Sequence, residues 1–168
     1  MGKNDRKFGG KREKPEYDQK LLDLARVTRV VKGGRRFRFR ATLVIGNRKG
    51  KVGVGVGKGT DVSDAINKAF ADGKKNIITV SMHKNTIPHD IRFKLGSAKI
   101  ILKPASAGRG IIAGGAVRAV VDLAGIKDIV SKSLGTANKL NVARAAVAAL
   151  ATFENVRNRK ARTTNEHE

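Results

Sequence analysis

A chain of 168 residues with 40% hydrophobic content is long enough for one medium domain or two small ones with a real core. Its formal net charge of +22 and pI near 11.1 exceed what solubility requires and point to a polyanionic partner, by default nucleic acid. Cysteine is absent and the three histidines are scattered, which excludes disulfides, thiolate metal sites and a histidine ligand cluster, while no long apolar run, signal-type segment or bulky basic amphipathic helix favours a membrane partner.

Residues 1–20 mix both charge signs with Gly, Pro and little apolar content, the composition of a basic flexible arm. A solvated tail and an arm that orders on RNA fit it equally. Leu21 to Val31 starts apolar and becomes β-branched, so a turn of helix or an extended entry should lead into a first strand. Lys32-Gly33-Gly34-Arg35 signals a tight hairpin turn, with Gly33 expected to take a positive φ. Phe37, Phe39, Ala41, Leu43 and Ile45 then alternate with Arg36, Arg38, Arg40 and Thr42, a strand burying one face and presenting guanidiniums on the other. A second turn at Asn47 to Gly50 leads into Val52, Val54 and Val56, which alternate with Gly53, Gly55 and Gly57. That leaves one strand face bare, where a large object can approach the backbone.

From Arg26 to Thr60 there are eleven Lys or Arg residues and no Asp or Glu. The candidate RNA contacts drawn from this stretch are Arg29, Lys32, Gly33, Gly34, Arg35, Arg36, Arg38, Arg40, Lys49, Lys51, Gly53, Gly55 and Lys58. Arg38 and Arg40 lead, because their strand neighbours fix their direction and arginine can grip phosphate with two donors or stack on a base. The bland reading of any single cation here is a member of a solvated field.

Thr60 or Asp61 can cap a helix whose Val62, Ala65, Ile66, Ala69 and Phe70 share one face, closing a strand-strand-strand-helix domain over residues 21–80. A second unit spans 81–154. Asp90 to Leu95 and Ala98 to Pro104 read as strands joined at Gly96-Ser97. A glycine-rich run from Ser106 to Gly115 precedes a helix that carries Val117, Val120, Val121 and Ala124 and stops at Gly125. Residues 127–134 read as a strand, and Asn138 can cap a last helix lined by Val142, Ala146, Ala149, Leu150 and Phe153. Residues 155–168 read as a polar tail. The fold class is α+β with two small domains.

Two glycine-rich segments invite an enzymatic reading. Gly53 to Thr60 lacks the leading glycine of a phosphate-cradling loop, and Gly59 stands where Ser or Thr should follow Lys58. Gly108-Arg109-Gly110 with Ala113 matches a G-x-G-x-x-A pattern, with Asp128 at ribose distance along the chain, but too many residues separate it from the preceding strand. Close packing of this loop on RNA or a neighbouring protein is the better reading, and Ile111 and Ile112 favour protein. Arg109, Gly110, Ile111, Ile112 and Arg118 form the candidate protein interface. Asp61 and Asp64 are explained as first-turn helix-dipole partners, Asp122 and Asp128 flank a turn, and no nucleophile stands beside a base. No cofactor is implied. A free RNA-binding regulator and a nucleotide-dependent enzyme are the competing classes.

The run VVKGGRRFRFRATLVIGNRKGKVGVGVGKG, residues 30–59, followed by KPASAGRGIIAGGAVRAVVDLAGIKDIVSKSLGTANKLNVARA, closely resembles bacterial small-subunit ribosomal protein number five over residues 21–154. The resemblance implies an N-terminal domain like the double-stranded-RNA-binding fold and a C-terminal α/β domain of the ribosomal-protein-five domain-two type. It implies a cytoplasmic, non-enzymatic ribosomal protein that binds small-subunit ribosomal RNA where head and body meet. Contacts with small-subunit proteins four and eight, a position near the messenger RNA entry path and an influence on decoding accuracy are implied too. One departure is that Asp61 and Asp64 occupy the turn where ordinary double-stranded-RNA-binding domains carry a basic cluster, so the resemblance does not carry over their duplex-binding mode.

Overall fold

The computed structural model describes residues 16–164, and its first half follows from the alternation just noted. β1 (Asp18–Val31) pairs antiparallel with β2 (Gly34–Gly46), β2 with β3 (Lys51–Gly59), and β3 with a short β4 (Ile77–Thr79), giving the sheet order β1-β2-β3-β4. β1 is one long strand, with no helical turn at its start. It begins inside the stretch expected to be a free arm, Asp18, Gln19 and Lys20 pairing with Gly46, Ile45 and Val44. The remainder of that arm falls mostly outside the described residues. A bulge at Leu21/Asp23 shifts the register once and turns Leu22 towards the main core.

Between β3 and β4 runs helix α1 (Val62–Lys75), whose buried residues are Ala65, Ala69 and Gly73, with Ile66 and Phe70 half-buried at its flanks. Asp61 holds the N-cap position without a side-chain bond, and Asp64 and Lys68 pair at 2.7 Å on the outer surface. The buried face is narrower and smaller than the sequence pattern suggested, and β3 is the reason. Gly53, Gly55 and Gly57 point at α1, not at solvent: a methyl group on Gly55 would strike the Ala69 carbonyl and lie 2.8 Å from the Gly73 Cα. The bare strand face is the seat of α1. The opposite face of β3, carrying Val52 and Val54, joins Val44 in the main core.

The second sheet has the order β5-β6-β8-β7, built from β5 (Ile91–Leu95), β6 (Ala98–Pro104), β7 (Ile111–Ile112) and β8 (Ile129–Leu134). β5 with β6 and β6 with β8 pair antiparallel, whereas β7 joins β8 in parallel. Helices α2 (Gly115–Ala124) and α3 (Lys139–Thr164) contribute Val117, Val120, Val121, Val142, Ala146 and Leu150 to the core over this sheet. α2 ends at Gly125 in the left-handed region (φ 92°), and the Asn138 side chain accepts from the Leu140 N–H (3.1 Å) at the start of α3. α3 continues beyond residue 154 into the stretch expected to be a polar tail.

The two sheets share one apolar cluster, since Val44, Val52, Val54 and Val80 of the first half pack with Leu123 and Phe153 of the second. The β2–β3 turn completes the junction. The Arg48 and Gly50 N–H groups donate to the Leu123 and Ala124 carbonyls (both 2.9 Å), supplying partners to two of the carbonyls that a helix end leaves open. Asn47 shapes the turn by accepting from the Lys49 and Lys51 N–H groups.

Candidate nucleic-acid interface

β3 reaches along β2 only as far as the Phe39–Gly59 pair, so Gly34–Arg38 of β2 and Val27–Val31 of β1 continue past it as a two-stranded ribbon. At the usual rise per residue the ribbon projects roughly 16 Å. Lys32 and Gly33 form its two-residue turn, and Val31 pairs with Gly34. The positive φ expected at Gly33 lies instead at Gly34 (φ 143°). Neither turn residue is left-handed, so the loop is not one of the primed hairpin turns.

Cross-strand register sorts the cations by face. Arg29 stands opposite Arg36, Val27 opposite Arg38, and Arg40 opposite Lys58. Arg29, Arg36, Arg38 and Lys58 border one hollow of about 320 Å³ with Val27 and Thr28. Like charges placed directly across a ladder oppose each other, and no acid occurs between Arg26 and Thr60 to offset them. Such a face gains most from a polyanion. Arg40 departs from the row: its guanidinium is 4.0 Å from Asp23, which also holds Lys139 at 3.1 Å, and its Nε is buried without a partner. It belongs to the junction between the two halves.

The other candidates separate. Lys49 and Lys51 are exposed but sit at the far end of β2, roughly 40 Å from the ribbon tip at strand rise. Their turn is fastened to α2 and is not a free protrusion. Gly53 and Gly55 are corrected outright as RNA contacts, because α1 covers both. Lys32 and Arg35 remain exposed at the tip.

Sequence reasoning passed over Arg26 and misplaced Phe37. Phe37 alternates in step with the buried residues of β2 but is 44% exposed, since α1 shields its strand face only from Phe39 onward. The Arg26 guanidinium lies 3.6 Å from the centre of the Phe37 ring. Position 26 stands opposite position 39 across the ladder, which puts Arg26 on the Phe37 side, but only a known register reveals that.

In the second half, Gly110 takes a left-handed conformation (φ 76°), and its N–H donates to the buried carboxylate of Asp128 (2.9 Å). Asp128 thus fastens the glycine-rich loop and is not poised for a ribose. A methyl group on Gly110 would meet nothing within 4 Å, so substitution there costs backbone strain and not crowding within this chain. Ile111 and Ile112 form the edge strand β7, and their side chains leave by opposite faces. Ile111 borders a hollow with Arg118, Arg48 and Asp122, while Ile112 is 47% exposed elsewhere. Arg109 is exposed on the loop. Among the described residues no group of His, Asp or Glu could hold a metal, and no helix is long and apolar enough to cross a membrane.

Comparison with known proteins gives two matches in chain order. Residues 17–81 match the family described as ribosomal protein S5, N-terminal domain, and residues 93–163 match ribosomal protein S5, C-terminal domain. Two relatives, from Campylobacter jejuni serotypes O:23/36 and O:6, are each named small ribosomal subunit protein uS5. Each is 54% identical over 140 residues, covering 83% of this chain and 95% of the relative. With both halves matched and identity sustained along almost all of each relative, the chain belongs to the ribosomal protein S5 family of structural, non-enzymatic ribosomal proteins.

Proposed function

We propose that this chain is a constituent of the small ribosomal subunit that grips ribosomal RNA through the β1–β2 ribbon. The observation that carries this reading is the cationic face of Arg29, Arg36 and Arg38, standing beyond the third strand and continued by Lys58 at that strand's end, with no carboxylate in the segment. Phosphate neutralisation there supplies affinity, and the ribbon's projection lets it enter a fold of RNA that a flat sheet would not reach. Ile111, Arg118 and the Gly110 loop form the surface offered to a neighbouring protein. The family resemblance supports a finer placement: the head–body junction, contacts with small-subunit proteins four and eight, proximity to the messenger RNA entry path, and an effect on decoding accuracy.

The test is the salt dependence of binding to small-subunit ribosomal RNA. Arg36→Ala and Arg38→Ala should each lower the magnitude of the log–log slope by about 1, as expected when one phosphate contact is lost. Arg40→Ala should change the slope less, because Asp23 already engages that side chain. A slope indifferent to both ribbon variants would refute the assignment.

A further inference from the structure

The ribbon has a second face, which the phosphate reading leaves without a task. It carries Arg26, Thr28 and Val30 of β1 against Phe39, Phe37 and Arg35 of β2. Val30 is 76% exposed and Phe37 44% exposed, a large apolar surface to leave in water on an element that projects from the sheet. The two are diagonal neighbours on this face, with Thr28 opposite Phe37 and Arg35 opposite Val30. The Arg26 guanidinium carbon lies over the Phe37 ring, 3.6 Å from its centre, and among the described residues no carboxylate pairs with Arg26.

We infer that this face is a stacking site for a single unpaired RNA base, with Phe37 and Arg26 forming the platform and Val30 flanking the sugar. The inference rests on reading the ribbon as RNA-binding and adds the nucleotide class it selects. RNA modules read unpaired nucleotides by stacking them on aromatic rings or guanidinium planes, and here one of each is already assembled. The charge of the segment favours RNA over a protein as the occupant. A protein patch complementary to Phe37 and Val30 would also have to neutralise Arg26, Arg29, Arg35 and Arg36 close by, whereas a nucleotide carries its own phosphate. The two faces then divide the work: Arg29, Arg36, Arg38 and Lys58 hold backbone, and Phe37 with Arg26 detects a base that has left its stack.

The test uses the full chain and two RNA probes of matched length, a perfect duplex and the same duplex with one bulged purine. Wild type should prefer the bulged probe roughly tenfold, the scale of one base on an aromatic platform. Phe37→Ala should abolish that preference while leaving duplex affinity and salt slope unchanged. Arg26→Lys should reduce the preference in the same way, because lysine keeps the charge but loses the plane. Phe37→Trp should keep the preference. Thermal unfolding of each variant guards against loss of the fold, and a variant that unfolds early is replaced by Phe37→Leu, which keeps apolar bulk without a ring. Equal wild-type affinity for the two probes, or a preference that survives Phe37→Ala or Phe37→Leu, overturns the inference. The charge variants distinguish this from failure of the underlying reading: if Arg36→Ala and Arg38→Ala weaken both probes while Phe37→Ala has no effect, the ribbon binds RNA without a base site.

Discussion

Gly55→Ala separates two roles for the bare face of β3. In the structure the added methyl group meets the Ala69 carbonyl and the Gly73 N–H, and it would stand 2.8 Å from the Gly73 Cα. Carbon atoms rest at about 3.5–4.0 Å, so α1 would have to lift from the sheet by about 1 Å. The obstructing atoms are helix backbone, which cannot rotate away as a flexible side chain could. Overpacking of this kind costs about 1–3 kcal/mol. The small cluster of Ala41, Leu43, Ile45, Ala65 and Ala69 gives little room to redistribute that strain. For a chain of this size each kcal/mol lowers the melting temperature by roughly 2–4 °C, so the variant should melt roughly 2–12 °C early. The assay is thermal unfolding paired with RNA binding at a temperature where both proteins remain folded. A seat for α1 predicts early melting with affinity and salt slope retained. A variant as stable as wild type that has lost RNA affinity would refute the helix-seat argument.

Gly34→Ala should strain the ribbon tip by about 1–3 kcal/mol, because Gly34 is left-handed (φ 143°), and hydrogen exchange at Val31 and Arg35 should speed up. Gly33→Ala, whose methyl group meets nothing within 4 Å, should match wild type; the reverse ranking would contradict the turn geometry. Asp128→Ala removes the acceptor for the Gly110 N–H and should cost about 1–3 kcal/mol in urea unfolding, with Gly110 losing exchange protection. Unchanged protection at Gly110 would show that the loop is held in some other way. Lys49→Glu with Lys51→Glu should leave the contact of the ribbon tip intact in footprints of assembled subunits, given their place at the opposite end of β2; loss of the tip footprint would contradict that separation.

Much of the second half was legible because its signals are local. Gly96-Ser97 joins β5 to β6, Gly125 stops α2, and Asn138 opens α3, each decided by the backbone needs of a few adjacent residues. β7 escaped notice because two residues in parallel pairing leave no periodic trace. β4, antiparallel to β3, is only three residues long, also too short for an alternation to show.

The charge of residues 26–60 and the period-two patterns of β2 and β3 are properties of side-chain type and order, so the polyanionic partner and the strands themselves could be inferred without a structure. Alternation says which residues share a face but not what that face meets. β3 is covered on both sides, by α1 over its glycines and by the shared core over its valines, and nothing within residues 51–59 distinguishes a helix backbone from an RNA backbone as the object brought close. Phe37 and Ile45 belong to one alternating row, yet one is 44% exposed and the other buried, because α1 ends its cover near Phe39. Arg38 and Arg40 differ likewise, since Asp23, itself paired with Lys139 from the far end of the chain, reaches Arg40 from the neighbouring strand. Those contacts arise only when long-range pairing sets the register, and they determine which cations remain free for RNA.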